Sequence, residues 1–175
     1  MEIDETISIV PYDQEWPRLF EKERDILLQI LGDKIIELQH IGSTAVVGLW
    51  GKPIIDMIGR VTNYPVDSEV IKALEAKGYE SLGESGVRGR QYLRKRGNES
   101  YNLHIVKNGN EHWRKNLLFR DYLRFNEKEA EMYSHHKREL MTEGINRLLD
   151  YSNRKAQLIA EIIERAEIWK NKQID

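Results

Sequence analysis

The spacing of apolar residues changes character after Gly109. Before this glycine, short apolar stretches alternate with segments in which apolar residues recur at helical spacing. The stretches "KIIELQHIG" and "PIIDMIGRV" predict two β-strands, and Pro53 is acceptable because it opens the second one. The stretches "DQEWPRLFEKERDILLQILGD" and "DSEVIKALEAKGYE" predict two helices, each with a glycine at its end.

A β-hairpin is predicted by "GVRGRQYLRKRGNESYNLHIVK", with strands over Arg88–Arg96 and Tyr101–Lys107 joined around Gly97-Asn98. Three helices are predicted after it, in "EHWRKNLLFRDYLRFN", "KEAEMYSHHKRELMTEG" and "SNRKAQLIAEIIERAEIWK". Ser152 is a suitable N-cap for the last of these. Strands that follow one another through short loops indicate a sheet that is not purely parallel.

The predicted fold class is therefore α+β: a mixed β-sheet flanked by helices, with a C-terminal helical segment. A chain of 175 residues suits one domain with one core. We expect a single domain over residues 1–175, in which an α/β core of residues 1–109 precedes a helical part of residues 110–175.

Composition and charge exclude several classes of function. The net charge of −2 gives no overall attraction to nucleic acid or to anionic membranes, so any anion site must be a local cluster. The absence of cysteine excludes disulfides, thiolate nucleophiles and cysteine-ligated metal centres. The first residues, "MEIDETISIVPYD", do not resemble a secretory signal, and no apolar run reaches the roughly 20 residues that cross a bilayer. We expect a cytoplasmic protein without membrane contact.

The stretch "HIGSTAVVGLWGKPIIDM" holds the candidate chemistry. Asp56 is a single carboxylate inside an apolar strand, where an unpaired charge is costly and therefore has a partner or a purpose. The Gly42-Ser43 turn allows backbone N–H groups to approach a phosphate, although a serine in a turn also commonly satisfies its own loop. Lys52 is equally explained as a phosphate ligand or as a solvated lysine.

The combination of "HIGSTAVVGL" and "KPIID", preceded by "VPYDQEWP" and followed by "LLFRDYLR", resembles the GrpB family. The resemblance extends from about Val10 to Tyr133, and its most specific part runs from His40 to Asp56. It implies a branch of the DNA-polymerase-beta type nucleotidyltransferases. In that superfamily a Gly-Ser turn closes one strand and an Asp-x-Asp pair on the next strand holds Mg²⁺ against nucleotide phosphates.

The sequence departs from that pattern at the second acid. Asp56 matches the first acid of the pair, but Ile58 stands at the second position. The strand "YNLHIV" offers Asn102 and His104 instead, at alternate positions that share one face. One carboxylate and one imidazole can bind Mg²⁺ if the nucleotide supplies most ligands, or Mn²⁺, or with less preference Zn²⁺. An Asp–His hydrogen bond that only stabilises the sheet is the structural alternative.

Arginines contribute a second group of candidates. Arg88, Arg90, Arg94 and Arg96 fall on one face of the predicted hairpin strand, with Tyr92 between them. Like charges at this spacing repel unless an anion or carboxylates lie against them, and the guanidinium fork suits phosphate. The alternative is a solvated hairpin arm. Arg90 and Arg94 lie nearer the body of the strand and are the better phosphate ligands.

The sequence thus predicts a cleft for a small phosphate-containing ligand, most simply a nucleotide. The predicted catalytic and metal-binding residues are Asp56 and His104, and the predicted substrate-binding residues are Gly42, Ser43, Lys52, Arg90, Arg94 and Asn102. The reaction implied by the resemblance is metal-dependent nucleotidyl or phosphoryl transfer to a small acceptor. The alternative is a non-catalytic regulatory module that has lost the second acid. RNA binding has little support from the charge, and an oligomer interface on the last helix stays open.

Overall fold

The computed structural model describes residues 4–173, which contain five β-strands and five α-helices. The strands are β1 (Ile35–Ile41), β2 (Ile55–Val61), β3 (Tyr79–Ser81), β4 (Arg90–Lys95) and β5 (Tyr101–Lys107). The helices are α1 (Trp16–Leu31), α2 (Ser68–Glu75), α3 (Glu111–Phe125), α4 (Glu127–Thr142) and α5 (Leu148–Asn171).

The five strands form one mixed sheet in the order β1-β2-β5-β4-β3. Only the β2–β5 pair is parallel, and the other three pairs are antiparallel. The register places Asp56 beside Asn102 and Ile58 beside His104 in the centre of the sheet. The predicted α+β class, the mixed sheet and the antiparallel hairpin of β4 and β5 are confirmed.

One face of the sheet is apolar and carries α1 and α2. Met57, Leu93, Leu103 and Ile105 point into this layer and are completely buried. They alternate along the strands with the polar residues of the opposite face, as the period of two predicts.

The opposite face is covered in part by α3. Ile58, Val106 and Ile41 pack there against Trp113 of α3 and form a small separate core. Helices α3, α4 and α5 also pack on one another around Ile162, which is fully buried. The helical part of the chain therefore lies against the face of the sheet that carries Asp56.

One local prediction was wrong and one strand was not predicted, for reasons that lie elsewhere in the chain. Helix α5 begins at Leu148 rather than after Ser152, because Asp4 supplies its cap: the Leu149 N–H donates to Asp4 Oδ1 over 2.9 Å. The hydrogen bond from Leu149 also holds the pKa of Asp4 below its usual value. Strand β3 escaped prediction because it is three residues long and depends on pairing with β4.

No helix within residues 4–173 is both long enough and apolar enough to cross a membrane.

The burial of Ile58 yields a test of the second acid position. Ile58→Asp is expected to lower the free energy of unfolding by about 4 kcal/mol, because an unpaired carboxylate would be buried beneath Trp113. Ile58→Val is the matched control and is expected to cost only about 1 kcal/mol. Urea denaturation measures both. Recovery of the Ile58→Asp loss by added Mg²⁺ would contradict this account, since it would mean that the position opens to a metal site.

Candidate functional site

The turn between β1 and β2 touches the candidate acid directly. Gly42 has a φ of 71°, a conformation that glycine adopts without strain. A Cβ atom at this position would lie 2.8 Å from Asp56 Oδ2, closer than real contacts allow. Glycine is therefore required twice over, by the backbone angle and by the approach of the carboxylate.

Asp56 is held in place by the neighbouring strand. Asn102 Nδ2 donates to Asp56 Oδ1 over 2.7 Å, which confirms the prediction that these side chains lie within reach of each other. The Asn102 Oδ1 atom accepts two hydrogen bonds of 2.9 Å, from the Tyr92 hydroxyl and from Arg96. Because those donors fix the orientation of the amide, its NH₂ group must face Asp56. Asn102 therefore positions Asp56.

The Nδ1 atom of His104 already has two polar side chains close to it. Arg90 Nη1 lies 3.2 Å from His104 Nδ1, and His112 Nε2 lies 3.4 Å from the same atom. An arginine can only donate, so His104 Nδ1 carries no proton and the ring proton sits on Nε2. Burial, with the nearby Arg90 charge, holds the pKa of His104 well below its usual value, so the ring is neutral.

The two predicted arginine ligands are buried and already partnered. Arg90 donates to the backbone oxygens of Glu84 and Ser85 as well as facing His104. Arg94 forms an ion pair of 2.8 Å with Glu80 on β3. Neither arginine lines the cavity described next, so the structure does not bring them to Asp56 as the sequence predicted.

A cavity of about 330 Å³ lies between the Gly42 turn and the C-terminal helices. The turn and β2 contribute Gly42, Ser43, Thr44, Lys52 and Asp56 to its wall. Helices α3, α4 and α5 contribute His112, Lys115, Asn116, Phe119, Tyr133, Tyr151, Lys155, Ile159 and Ile163. One side of the cavity is thus polar and the other is largely aromatic and aliphatic.

Two tyrosine–lysine pairs lie at this cavity: both tyrosines and Lys155 line it, whereas Lys137 is buried just outside its wall. On α4 the Lys137 ammonium lies 4.4 Å from the centre of the Tyr133 ring, and on α5 Lys155 lies 4.3 Å from that of Tyr151. Each pair spans four residues, so both members project from the same side of their helix. A cation over an aromatic face is electrostatically favourable, and the tyrosines therefore hold the lysines at the cavity.

The lysines outnumber the carboxylates at this site. Burial lowers the pKa of Lys155 to about 7, and the nearby Lys52 charge lowers it as well while Asp56 opposes them. Burial also lowers the pKa of Lys52 and holds that of Lys137 well below its usual value. Among residues 4–173, Asp56 is the one carboxylate in the cavity wall. The site therefore holds more basic groups than carboxylates although the chain as a whole is slightly acidic.

The residues present suit a metal ion only in part. Within residues 4–173 no three His, Asp or Glu side chains come together as a metal-binding group. Asp56 alone fits a Mg²⁺ ion that takes its other ligands from phosphates and water, which is a common arrangement for this ion. His104 fits less well, because its Nδ1 already faces Arg90 and it lies outside the cavity wall.

The sequence therefore anticipated half of this site. Gly42, Ser43, Lys52 and Asp56 line the cavity together, with Asn102 directly behind the acid. The lysines of α4 and α5 were missed. The "SHHKRE" segment is almost entirely polar, which is typical of a solvated helix face, yet its lysine, Lys137, is 1% exposed. The repeated spacing of a tyrosine four residues before a lysine, in "YSHHK" and "YSNRK", is the signal that was available.

Comparison with solved structures defines the class of fold. The chain is similar to the GLD-2/RNP-8 complex, with a TM-score of 0.59 and 16% identity over 86% of this chain and 51% of that one. It is also similar to a cytoplasmic RNA terminal U-transferase, with a TM-score of 0.51 and 20% identity over 81% of this chain and 42% of that one. At such identities the likeness concerns the fold alone, which is that of the nucleotidyltransferases.

Within this fold the chain belongs to the GrpB family, whose description is "GrpB protein" and whose profile matches residues 6–165. The crystal structure of the conserved protein GrpB from Enterococcus faecalis is similar, with a TM-score of 0.85 and 33% identity over 93% of this chain and 99% of that one. The predicted family is thereby confirmed.

Two relatives match almost the whole of this chain but differ in how much of their own length the match covers. The UPF0157 protein YqkA of Bacillus subtilis is 34% identical over 94% of this chain, but the match spans only 48% of YqkA. The UPF0157 protein BH1888 of Halalkalibacterium halodurans is 32% identical over 92% of this chain and 83% of its own length. The chain thus spans about half of one relative and most of the other.

The contact between the turn and the acid can be tested by adding one methyl group. Gly42→Ala is expected to lower the free energy of unfolding by about 2–3 kcal/mol, since it combines backbone strain with a clash against Asp56. Gly48→Ala is the matched control: its φ is 80° but nothing lies within 4 Å of the added Cβ, so only about 1 kcal/mol is expected.

Chemical denaturation measures both variants. Adding Gly42→Ala to an Asp56→Ala background is expected to cost less than adding it to the wild type and about as much as the control, because the clashing carboxylate is gone. Equal losses for Gly42→Ala and Gly48→Ala would contradict the close approach.

Proposed function

We propose that the cavity binds a small ligand through its phosphate groups, and that this ligand is a nucleotide. The observation that carries the proposal is the group of lysines at Asp56. Lys52, Lys137 and Lys155 lie near one another in a partly or fully buried site that has a single carboxylate in its wall. Burial without enough counter-charge disfavours the charged form of these amines, and a bound polyanion stabilises that form by pairing with it.

The two sides of the cavity suit the two parts of a nucleotide. The Gly42-Ser43 turn and Lys52 offer donors and charge for phosphate oxygens. Phe119, Tyr151 and the isoleucines of α5 form an apolar and aromatic wall on which a base can stack. A volume of about 330 Å³ is at the small end of the range of ligand pockets.

Within this proposal Asp56 is the residue that would hold Mg²⁺ or Mn²⁺, with the remaining ligands supplied by phosphates and water. Such an ion would neutralise charge that develops on phosphoryl oxygens, as required for nucleotidyl or phosphoryl transfer to a small acceptor. A non-catalytic nucleotide-binding regulator is the second candidate. It is favoured by the burial of Ile58, which leaves no place for a second metal-binding acid on β2.

The low pKa of Lys155 gives a test of anion binding. In the free protein at about pH 8 this amine is mostly neutral, since its pKa is about 7. A bound phosphate stabilises the ammonium, so binding of ATP is expected to take up a proton at about pH 8 and progressively less as the pH falls below 7. Calorimetric titration in buffers of different ionisation enthalpy measures this uptake.

Lys155→Met is expected to abolish the proton uptake and to weaken ATP about tenfold, the usual effect of one charge-assisted hydrogen bond. Lys72→Met, on the exposed side of α2, is the control and should change neither quantity. No detectable binding of inorganic phosphate or of any ribonucleoside triphosphate by the wild-type protein would refute the proposed function.

Asp56→Asn tests the metal separately. The variant keeps the oxygen that accepts from Asn102 but loses the charge, so the fold should persist. We expect Mg²⁺ to strengthen ATP binding in the wild type and to have no such effect in Asp56→Asn, as judged by melting temperature with and without each component. Asp33→Asn, an exposed acid before β1, is the control. An equal Mg²⁺ effect in Asp56→Asn would mean that Asp56 has only a structural role.

A further inference from the structure

Ser43 has an unusual neighbour for a serine in a turn. Its Oγ atom lies 2.8 Å from the Nζ atom of Lys137, which is 1% exposed. The same Nζ also hydrogen-bonds the backbone oxygen of Trp50. Ser43 itself is partly exposed and lines the cavity. Lys137 Nζ thus donates to the hydroxyl oxygen of a serine that lines the cavity.

The surroundings of Lys137 favour its neutral form. It is deeply buried, and within residues 4–173 no carboxylate lies within ion-pair distance of it. Burial first, and then the charges of Lys155 and Lys52, hold its pKa well below the usual value. A neutral Lys137 amine can donate to the Trp50 oxygen and still accept the proton of the Ser43 hydroxyl.

We propose that Ser43 and Lys137 form a nucleophile–base pair that transfers a phosphoryl or nucleotidyl group from a bound phosphoanhydride to Ser43. The identity of the phosphoanhydride rests on the proposed function, whereas the pair itself rests on the geometry of Ser43, Lys137 and the cavity. A serine hydroxyl is a weak nucleophile until an adjacent base removes its proton, and a lysine serves as that base in serine–lysine enzymes.

The step balances without any further reactant. Ser43 Oγ attacks a phosphorus atom of the bound nucleotide, and a new O–P bond forms while the phosphoanhydride P–O bond breaks. The hydroxyl proton passes to Lys137 Nζ, which becomes an ammonium beside the new ester. For a nucleoside triphosphate, phosphoryl transfer releases the nucleoside diphosphate and nucleotidyl transfer releases pyrophosphate; the leaving group departs with the electron pair of the broken bond, and Lys52 and Lys155 lie at the cavity to offset its charge.

A second serine, which is buried, provides the contrast. Ser134 Oγ accepts a hydrogen bond of 3.0 Å from the Trp50 N–H, and Ser134 does not line the cavity. It sits three residues before Lys137 on α4. Ser134 is therefore a matched control for a buried serine close to the same lysine in sequence but without the amine on its hydroxyl.

The pair is tested first with a reagent that needs no nucleotide. Diisopropyl fluorophosphate reacts with an activated serine, whose oxygen bonds to phosphorus as fluoride leaves. Mass spectrometry of the intact protein and of its peptides is expected to place a single adduct on Ser43. Ser43→Ala should abolish labelling and Ser134→Ala should leave it unchanged. Lys137→Met and Lys137→Gln should slow labelling at least about a hundredfold, the usual effect of losing a general base.

Melting temperatures confirm that each variant is folded before its rate is compared. An adduct that maps to Ser134 or to no serine in the wild type would overturn the proposal without recourse to any variant. Labelling of Ser43 at the wild-type rate in a folded Lys137 variant would also overturn it, because Lys137 would then be a structural cation. Slow labelling of both lysine variants together with a Ser43 adduct in the wild type supports it.

The second part of the experiment uses ATP with Mg²⁺ or Mn²⁺ and searches for a phosphoryl or adenylyl adduct on Ser43. Such an adduct supports the transfer. If calorimetry shows that ATP binds but neither reagent modifies Ser43, the nucleophile–base pair fails and the proposed binding function stands. If fluorophosphate labels Ser43 and ATP does not bind, the pair stands and the nucleotide assignment fails.

Discussion

The close approach of the Gly42 turn to Asp56 is the contact on which the site depends. The Asp56 carboxylate occupies the space in which any other residue would place its Cβ, and Asn102 holds that carboxylate from the neighbouring parallel strand. The turn, β2 and β5 are therefore fixed relative to one another by polar groups at the end of the sheet. Ser43 follows directly in the chain, so its hydroxyl is set at the same place.

The helical half of the chain determines what surrounds this contact. Helices α4 and α5 bring Lys137 and Lys155 to the strand end, each held over the tyrosine one turn earlier. Their docking buries amines near one carboxylate, which lowers the pKa of the amines and leaves more amines than carboxylates at the site. A slightly acidic protein thus contains a local group of basic side chains, and the proposed phosphate binding rests on that group.

Two features of the site occur together: β2 has no second acid, and lysines of the helical half lie close to Asp56. Ile58 stands at the position where a second metal-binding acid would lie, and it packs beneath Trp113. This contact joins α3 to the sheet. In the proposed function, amines rather than a second metal-binding acid would balance the phosphate charge. One of these amines, Lys137 in its neutral form, is the base in the proposed pair with Ser43.

The sequence by itself determined four of the five strands, the hairpin and the polar half of the site. Alternation along β2 and β5 placed Asp56 and Asn102 on one face, and the Gly-Ser turn marked the end of that face at which the cavity lies. Only the tertiary structure decided that Arg94 pairs with Glu80 and that Lys137 reaches Ser43, 94 residues away. Periodicity reports which side of an element is apolar. It does not report which distant element covers that side. For Lys137, the packing of α4 against the Gly42 turn determines how deeply the side chain is buried, that Ser43 is its partner, and in which direction its pKa shifts.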